Sequence, residues 1–413
     1  SVQPNNKAGY ETDEQYIELS IPVVDESMGL TFGGYGIKEL RVDFAQREID
    51  NTFSGEYTVR SENLYWQISD DLALRGGTQN AVRTPGLDDV FGPQAVTYQR
   101  ANDPCDYRYI DSGIYPTVRR ANCEAESWWV DGWQSQIVNR TEEGLSGGNP
   151  NLLNELGDTT TIGVIFTPDY DFIPGTLSLA FDVVTIDVVD VVQSFSVSQN
   201  MAGCYDYVDK PAKFCDTFTR VLTLEGQPEG KYRLGDVNSF SFGPNNVGVR
   251  NFETHIITAD HSMDTKWGEL STRFRGYHQQ IFESAPTGNP ADLEDFTGDY
   301  SEPEWLYDIT IGLSRDKHAI YYQVDGRSGG YIEKFQNMED QADKYIGLNG
   351  QPIVEWDGYW TDAVSYGYTP SDNMAIAVNL TNPFDLDGDE DRFPIERNLR
   401  LSQTLSVGFR YSF

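Results

Sequence analysis

Read back from Phe413, every second residue of the final stretch but one is apolar or aromatic: Phe413, Tyr411, Phe409, Val407 and Leu405, then, beyond Gln403, Leu401 and Leu399. The interleaved residues are Ser412, Arg410, Gly408, Ser406, Thr404, Ser402 and Arg400. A period of two places these sets on opposite faces of a β-strand, so the strand meets two different surroundings. Strands of soluble sandwiches usually run about five or six residues. Similar runs recur along the whole chain, and no stretch reads as a long amphipathic helix. The pattern predicts thirteen strands. These are Glu14–Val24, Lys38–Ile49, Glu56–Ile68, Leu72–Arg83, Thr159–Pro168, Leu177–Asp190, Val247–Asp260, Glu269–Phe282, Leu306–Ser314, Ala319–Arg327, Thr361–Tyr368, Met374–Pro383 and Leu399–Phe413.

The links between these runs alternate in length. Back from the C-terminus, 384–398 is long and 369–373 short; 328–360 is long, 315–318 short and 283–305 long. The links 190–246 and 84–158 are very long. Short turns on one side and long loops on the other are the signature of an up-and-down barrel in an outer membrane. The expected fold is therefore all-β, a transmembrane antiparallel β-barrel segment forming one domain over residues 1–413. The alternative for the last stretch alone is a long edge strand of a soluble sheet. With the C-terminus in the periplasm, the long links lie outside the cell and the first strand runs inward. A single-chain bacterial barrel has an even strand count and starts in the periplasm. Thirteen strands with an external start are then expected to be the C-terminal part of a larger barrel, nicked or separately encoded.

Composition narrows the class. No run of 18 apolar residues occurs among the 413, which excludes a transmembrane helix, and no basic, apolar-cored leader is seen. A mean hydropathy of −0.50 still suits a barrel, whose strands give only alternate residues to lipid. The formal charge of −35 argues against nucleic acid, which needs a basic face. The four cysteines fall into two local pairs, Cys105 with Cys123 and Cys204 with Cys215. Without a C-x-x-C or a nearby histidine, the expectation is two disulfides stapling loops in an oxidising compartment, with free buried thiols as the alternative.

Two stretches carry a family resemblance. Leu74-Arg75-Gly76-Gly77-Thr78-Gln79-Asn80-Ala81-Val82-Arg83-Thr84-Pro85-Gly86-Leu87-Asp88-Asp89-Val90-Phe91 resembles the strand-to-loop signature of TonB-dependent outer-membrane receptors. Gly148-Asn149-Pro150-Asn151-Leu152 with Glu155 and 159–168 is similar to that family's return strand, with Asn154 where the family usually has Pro. The aromatic terminal strand, with Phe409, Tyr411 and Phe413, resembles the family's closure and assembly signal. The resemblance implies a 22-stranded barrel of which these are the tenth to twenty-second strands. The plug, the TonB box and the first nine strands would lie on a companion chain or N-terminal fragment, and TonB would act through that plug. It further implies a place in the bacterial outer membrane among lipid and lipopolysaccharide, and active uptake of an iron chelate, corrinoid or oligosaccharide. A plug-less passive channel or adhesion barrel, and a secreted glycan-binding β-protein, remain as alternatives.

No G-x-S-x-G, H-E-x-x-H or P-loop occurs, so the chain is not expected to be an enzyme. The histidines His255, His261, His278 and His318 read as ordinary lumen or turn residues. Three stretches are candidates for binding. Trp128, Trp129 and Trp133 lie near Arg119 and Arg120 in the first very long link. They either contact ligand by stacking and carboxylate pairing or form the loop's own core. Tyr205 and Tyr207 in the second stapled link either contact ligand or pack against a neighbouring loop. Asp385, Asp387 and Asp389 around Gly388 resemble part of a calcium loop, with a solvated acidic turn as the alternative. No other cofactor is expected. Aromatics near strand ends (Tyr16, Tyr65, Trp66, Trp267, Trp305, Tyr307, Trp360, Phe409 and Tyr411) suit membrane–water girdles, with some turned to the lumen.

Overall fold

The structure is a computed structural model that describes all residues except 1–7, 33, 34, 37, 286, 288–292, 332–354, 385–402 and 413. Its main element is one antiparallel sheet whose strands follow chain order. We number them β1 (Thr12–Asp25), β2 (Glu39–Asn51), β3 (Gly55–Gln67), β4 (Leu72–Arg83), β5 (Glu155–Phe166), β6 (Thr176–Ser194) and β7 (Pro244–Thr265). There follow β8 (Gly268–Ala285), β9 (Trp305–Arg315), β10 (His318–Arg327), β11 (Tyr359–Ser371), β12 (Met374–Thr381) and β13 (Thr404–Tyr411). A two-residue strand, Glu294–Asp295, adds beside β8. All thirteen expected strands are present. β6 and β7 run further than expected because their ladder continues to Ser194 opposite Pro244, past register shifts around Val191.

Register decides which residues share a face. One continuous row of partners crosses eleven strands: Val24, Leu40, Trp66, Leu74, Val164, Phe181, Ile257, Gly276, Tyr307, Gly326 and Trp360. A row further along runs Leu313, Ile320, Tyr366, Val378 and Val407. The interleaved rows carry Arg41, Tyr65, Arg75, Gly163 and Asp182, and Thr258, Arg275, Asp308, Asp325 and Thr361. The sheet is therefore apolar on one face and polar on the other. On the polar face Arg75 grips Asp182 with two hydrogen bonds of 2.7 and 2.6 Å. Gly163 lies between them in register, and a Cβ there would fall 2.0 Å from Asp182 Oδ1.

The apolar face is open. Leu405, Val407 and Phe409 are 65, 68 and 64% exposed, and Ile311 is 41% exposed. The whole chain exposes 24940 Å², against about 16,000 Å² expected of a compact soluble chain of its mass. Its main buried apolar cluster lies wholly within the links 84–154 and 195–243, away from the sheet. No helix among the described residues is long and apolar enough to cross a membrane, which says nothing of strands.

Aromatic rings edge this apolar face. At the end facing the long links, Phe181, His255, His278 and Trp305 follow one another at centroid distances of 5.6, 6.0 and 4.1 Å, and Tyr307 meets Trp360 at 4.3 Å. At the other end His318 stacks on Tyr368 at 4.7 Å. Tyr65 instead turns to the polar face, beneath the Arg41 guanidinium. His318 and His261 lie at turns, as expected, His261 within 2.8 Å of the Pro174 carbonyl, while by register His255 and His278 lie on the apolar face and not on the polar one. An imidazole stacked on an indole tolerates that boundary because only its edge is polar.

The alternation of link length also needs a correction at its start. Link 26–38 falls at the short-turn end, and 52–54 is a tight turn at the long-link end. Asn51 closes that turn, its side chain accepting from the Phe53 and Ser54 amides. From β3 onward the rhythm holds. β1 and β13 are the two sheet edges, each paired on one side only among the described residues.

In phospholipid vesicles, Ile311→Arg is expected to cost about 2–4 kcal/mol of folding stability, the penalty for a cation on a lipid-facing strand midplane. Thr310→Arg, one residue along on the polar face, should cost less than half as much. Denaturant titration of the two variants, followed by circular dichroism, checks the facing; equal losses would reverse it.

Candidate functional site: a stapled module at the long-link end

The two longest links fold together into one module. Link 84–154 holds α1 (Leu87–Phe91) and α2 (Pro116–Glu124); link 195–243 holds α3 (Val197–Tyr205) and α4 (Ala212–Cys215). Ser196 caps α3, its side chain accepting from the Gln199 amide while Gln199 accepts from the Ser196 amide. Four short strands form a second sheet in the order Phe218–Arg220, Val237–Phe242, Glu142–Ser146, Ala95–Gln99, so each link supplies two. Disulfides Cys105–Cys123 and Cys204–Cys215 staple one link each, as expected from the cysteine spacing.

Polar pairs inside the module join the links to each other. Arg220 of the second link donates two 2.8 Å bonds to the Asp103 carboxylate of the first. Both side chains are almost wholly buried. The guanidinium lies 4.8 Å from the Trp128 ring and 5.1 Å from Tyr205, and its Nε donates to the Tyr205 hydroxyl at 3.0 Å. Arg119 makes a second buried pair with Asp206, donating to both carboxylate oxygens. The Trp133 indole N–H donates to the Leu234 carbonyl, and Asn122 donates to the carbonyls of Tyr205 and Tyr207. Gly235 has φ +86° and runs against Trp128, where a Cβ would sit 2.0 Å from the indole. Burial charges these ion pairs a desolvation cost, which bidentate geometry and extra hydrogen bonds offset.

Electrostatics follow burial. Desolvation pushes the Tyr205 phenol up to about 12, against the opposing pull of Arg220. For Asp106, burial favours the neutral acid, but hydrogen bonds from the Arg108 guanidinium and from the Arg108 and Ser135 amides outweigh it. Its carboxyl is therefore held below the usual range.

The sequence candidates can now be placed. Arg119, Trp128, Trp133, Tyr205 and Tyr207 come together in the buried interior of the module. Trp129 packs against that interior, with its N–H on the Cys105 carbonyl. Arg120 lies at the surface, paired with Asp111 and Glu124. All five buried candidates are packed among the side chains of the two links. A side chain at 8% exposure or less does not reach a solute while the module keeps this packing. The surface instead offers residues that sequence reasoning passed over. Tyr98 is 60% exposed and donates to Glu143 at 2.9 Å; Val96 and Leu145 lie beside it in register, 59 and 42% exposed. The alternation in Ala95–Gln99 was the available signal, but the run is short. Asp385, Asp387 and Asp389 lie outside the described residues, as does Phe413, and among the described residues no three His, Cys, Asp or Glu side chains cluster. Phe409 and Tyr411 sit on the edge strand β13, opposite Ile376 and Met374.

The module is anchored by the two stretches that carry the family resemblance. Arg83 pairs with Glu155 at 2.7 Å, and Glu155 also accepts from the Val192 amide, tying β4, β5 and β6. The Gly148 amide donates to Gly92, Asn149 to Asp89, and the Phe91 ring meets Phe53 edge-on at 5.7 Å. The strand-to-loop and return stretches, far apart in sequence, thus form one neck.

No family profile and no curated protein matches this chain. Similar solved structures include the siderophore receptor PirA from Acinetobacter baumannii, at 13% identity and TM-score 0.47 over 91% of this chain and 48% of that one. PirA from Pseudomonas aeruginosa is similar at 13% identity and TM-score 0.47 over 98 and 48%. The FrpB iron transporter from Neisseria meningitidis is similar at 11% identity and TM-score 0.46 over 97 and 44%. The chain spans about half the length of these structures.

Asp103→Asn strands the Arg220 charge and is expected to cost the module about 3–5 kcal/mol. Arg120→Ala, at the surface, should cost under about 1 kcal/mol. Denaturation followed by tryptophan fluorescence measures both. The depressed Asp106 carboxyl contributes stability that is fully present above its unfolded value of 3.8 and is lost as pH falls through its lower folded value. Acid unfolding of the module should therefore steepen below pH 3.8, and Asp106→Asn should flatten that dependence.

Proposed function

We propose that this chain supplies thirteen consecutive wall strands of an outer-membrane β-barrel and works in active uptake of a scarce nutrient. The observation that carries the reading is the apolar row from Val24 to Trp360, with Leu74, Phe181 and Trp360 exposed, and the parallel row from Leu313 to Val407 on the same face, with polar side chains on the other. A water-soluble sheet would cover such a face; hydrocarbon does so without a second protein layer. The stapled module then stands on the outer side, where its surface, including Tyr98, meets solute, and its core residues hold that surface in shape.

In this reading the chain is the C-terminal part of a TonB-dependent receptor. Edges β1 and β13 pair with strands of a companion chain or N-terminal segment, which also carries the plug through which TonB acts. The resemblance around Arg83–Phe91 supports this, as does the use of those residues as the neck of a large outer module. The cargo is of the class such barrels take up: an iron chelate, a corrinoid or an oligosaccharide.

Purification from native outer membranes in mild detergent tests the proposal. A plug-bearing polypeptide should accompany the chain, and cells should lose energy-dependent accumulation of the cargo when the chain is deleted. A chain that isolates alone and gives steady conductance in a planar bilayer would instead be a passive channel. One that stays in aqueous solution without detergent would be a soluble β-protein.

A further inference from the structure

Where the two longest links leave the sheet, the neck of the module holds a cleft of about 430 Å³, a size usual for small-molecule sites. Its walls come from separate stretches. Asn149 and Asn151 belong to the return stretch before β5, Asn200 to α3, and Asp216 to the end of α4; Phe242 and Asn245 lie where the second sheet runs into β7. The Cys204–Cys215 disulfide fixes two of these walls to each other. Asn200 lies one helical turn before Cys204, and Asp216 directly follows Cys215. Some polar groups of the cleft are engaged in holding it. Asn149 donates to the Pro244 carbonyl at 3.1 Å and accepts from the Asn151 backbone amide at 2.9 Å, and Asn245 donates to the Lys213 carbonyl at 3.3 Å. Lys213, also on the wall, donates its ammonium to the Thr287 carbonyl at 3.0 Å and lies 5.3 Å from the Phe214 ring. The side chains of Asn151, Asn200 and Asp216, in contrast, take part in no hydrogen bond or ion pair among the described residues. Asn200 is only 4% exposed, and the surface it keeps lines the cleft. A polar group buried without a partner is destabilising, so what fills the cleft has to meet this amide.

We propose that this cleft binds the neutral hexose rings of an oligosaccharide. The charged side chains on its wall decide against other classes. Lys213 is drawn to Thr287, which leaves Asp216 as the unengaged charge, and a carboxylate repels an anionic chelate or a phosphate. A hard cation wants several oxygen ligands including more than one carboxylate, and among the described residues no three His, Cys, Asp or Glu side chains cluster. Neighbouring hydroxyls of a hexose each donate and accept. The Asn151 and Asn200 amides offer both functions, and the Asp216 carboxylate accepts charge-assisted bonds. Phe242 packs against the module core and also borders the cleft, giving an apolar ring for the C–H face of a sugar. Two sources carry this chemistry, a free oligosaccharide and the neutral core sugars of lipopolysaccharide. The cleft belongs to the module, so the proposal stands apart from the uptake reading: a chain that isolates alone overturns that reading and leaves this one in place.

The test uses the whole chain in micelles of lauryldimethylamine oxide, a detergent without a sugar head group. Two labelled probe sets are titrated by fluorescence anisotropy. One is a panel of neutral oligosaccharides of glucose, galactose, mannose and N-acetylglucosamine; the other is dephosphorylated core oligosaccharide released from lipopolysaccharide. At least one member of the two sets should bind saturably. Asp216→Asn and Asn200→Ala should each weaken that binding about tenfold, as expected when a charge-assisted bond or a pair of amide bonds is lost. Arg120→Ala, at the surface, should bind like the unsubstituted chain. Asp216 is exposed, so its substitution keeps the test open if Asn200→Ala misfolds, which the tryptophan emission of the module reports. Binding by the panel alone makes the sugar a solute; binding by the core oligosaccharide alone makes it the membrane's own. The proposal is overturned if neither set binds, if both cleft variants bind as tightly as the unsubstituted chain, or if an anionic ferric tricatecholate displaces the sugar in competition.

Discussion

Register is the constraint on which the rest depends. Side chains of a strand alternate faces, so slipping any one strand by a single residue would carry its apolar set into the polar rows. The thirteen strands avoid this in sequence order, each pair antiparallel with its neighbour. The ladder shifts near strand ends between Pro22 and Val24, around Val191 and between Tyr368 and Ser371, and within β7 between Glu253 and Thr254. The Arg75–Asp182 clamp across Gly163 works toward the same end from the polar side. It joins β4 to β6 over an intervening strand, and only a residue without a Cβ leaves room for it.

The sheet and the module solve opposite problems. In the sheet the backbone ladder is continuous between the two edge strands, while the apolar side chains face outward and await a surrounding medium. In the module the apolar side chains are covered, and charge is what needs placing. Asp103, Asp206 and Asp236 meet that need by taking hydrogen bonds from the other link: from Arg220, Arg119 and the Gln136 amide. The large negative charge of the chain therefore does not sit only at its surface. A share of it holds the module together.

The strands were legible because an alternating pattern is a physical requirement of a wall between two media, and any break in it is costly. Even the termini came within a few residues wherever turns such as 316–317 and 372–373 follow directly. What could not be read is what depends on distance in sequence. The Asp103–Arg220 pair spans 117 positions, and nothing in either neighbourhood announces the other. Trp128 and Trp133 suited both gripping a ligand and filling a core, since both uses need the same rings, and the burial they have in the module comes from residues on the other long link. The face of His278 was hidden for a related reason: a polar ring reads as lumen-facing until its stacking partner, Trp305, is known.

The neck at Gly92 and Gly148 bears on how the wall is assembled. β4 and β5 are adjacent in the sheet, yet the chain between them is about as long as a small domain. Drawing the ends of a flexible link of that length together costs about 3 kcal/mol more than closing a hairpin of three residues. Links 84–154 and 195–243, once condensed around their shared core and disulfides, present their ends side by side, so most of that entropy is lost before the strands meet. The module then acts as an internal template, delivering two distant strands to each other as if they were neighbours on a short hairpin.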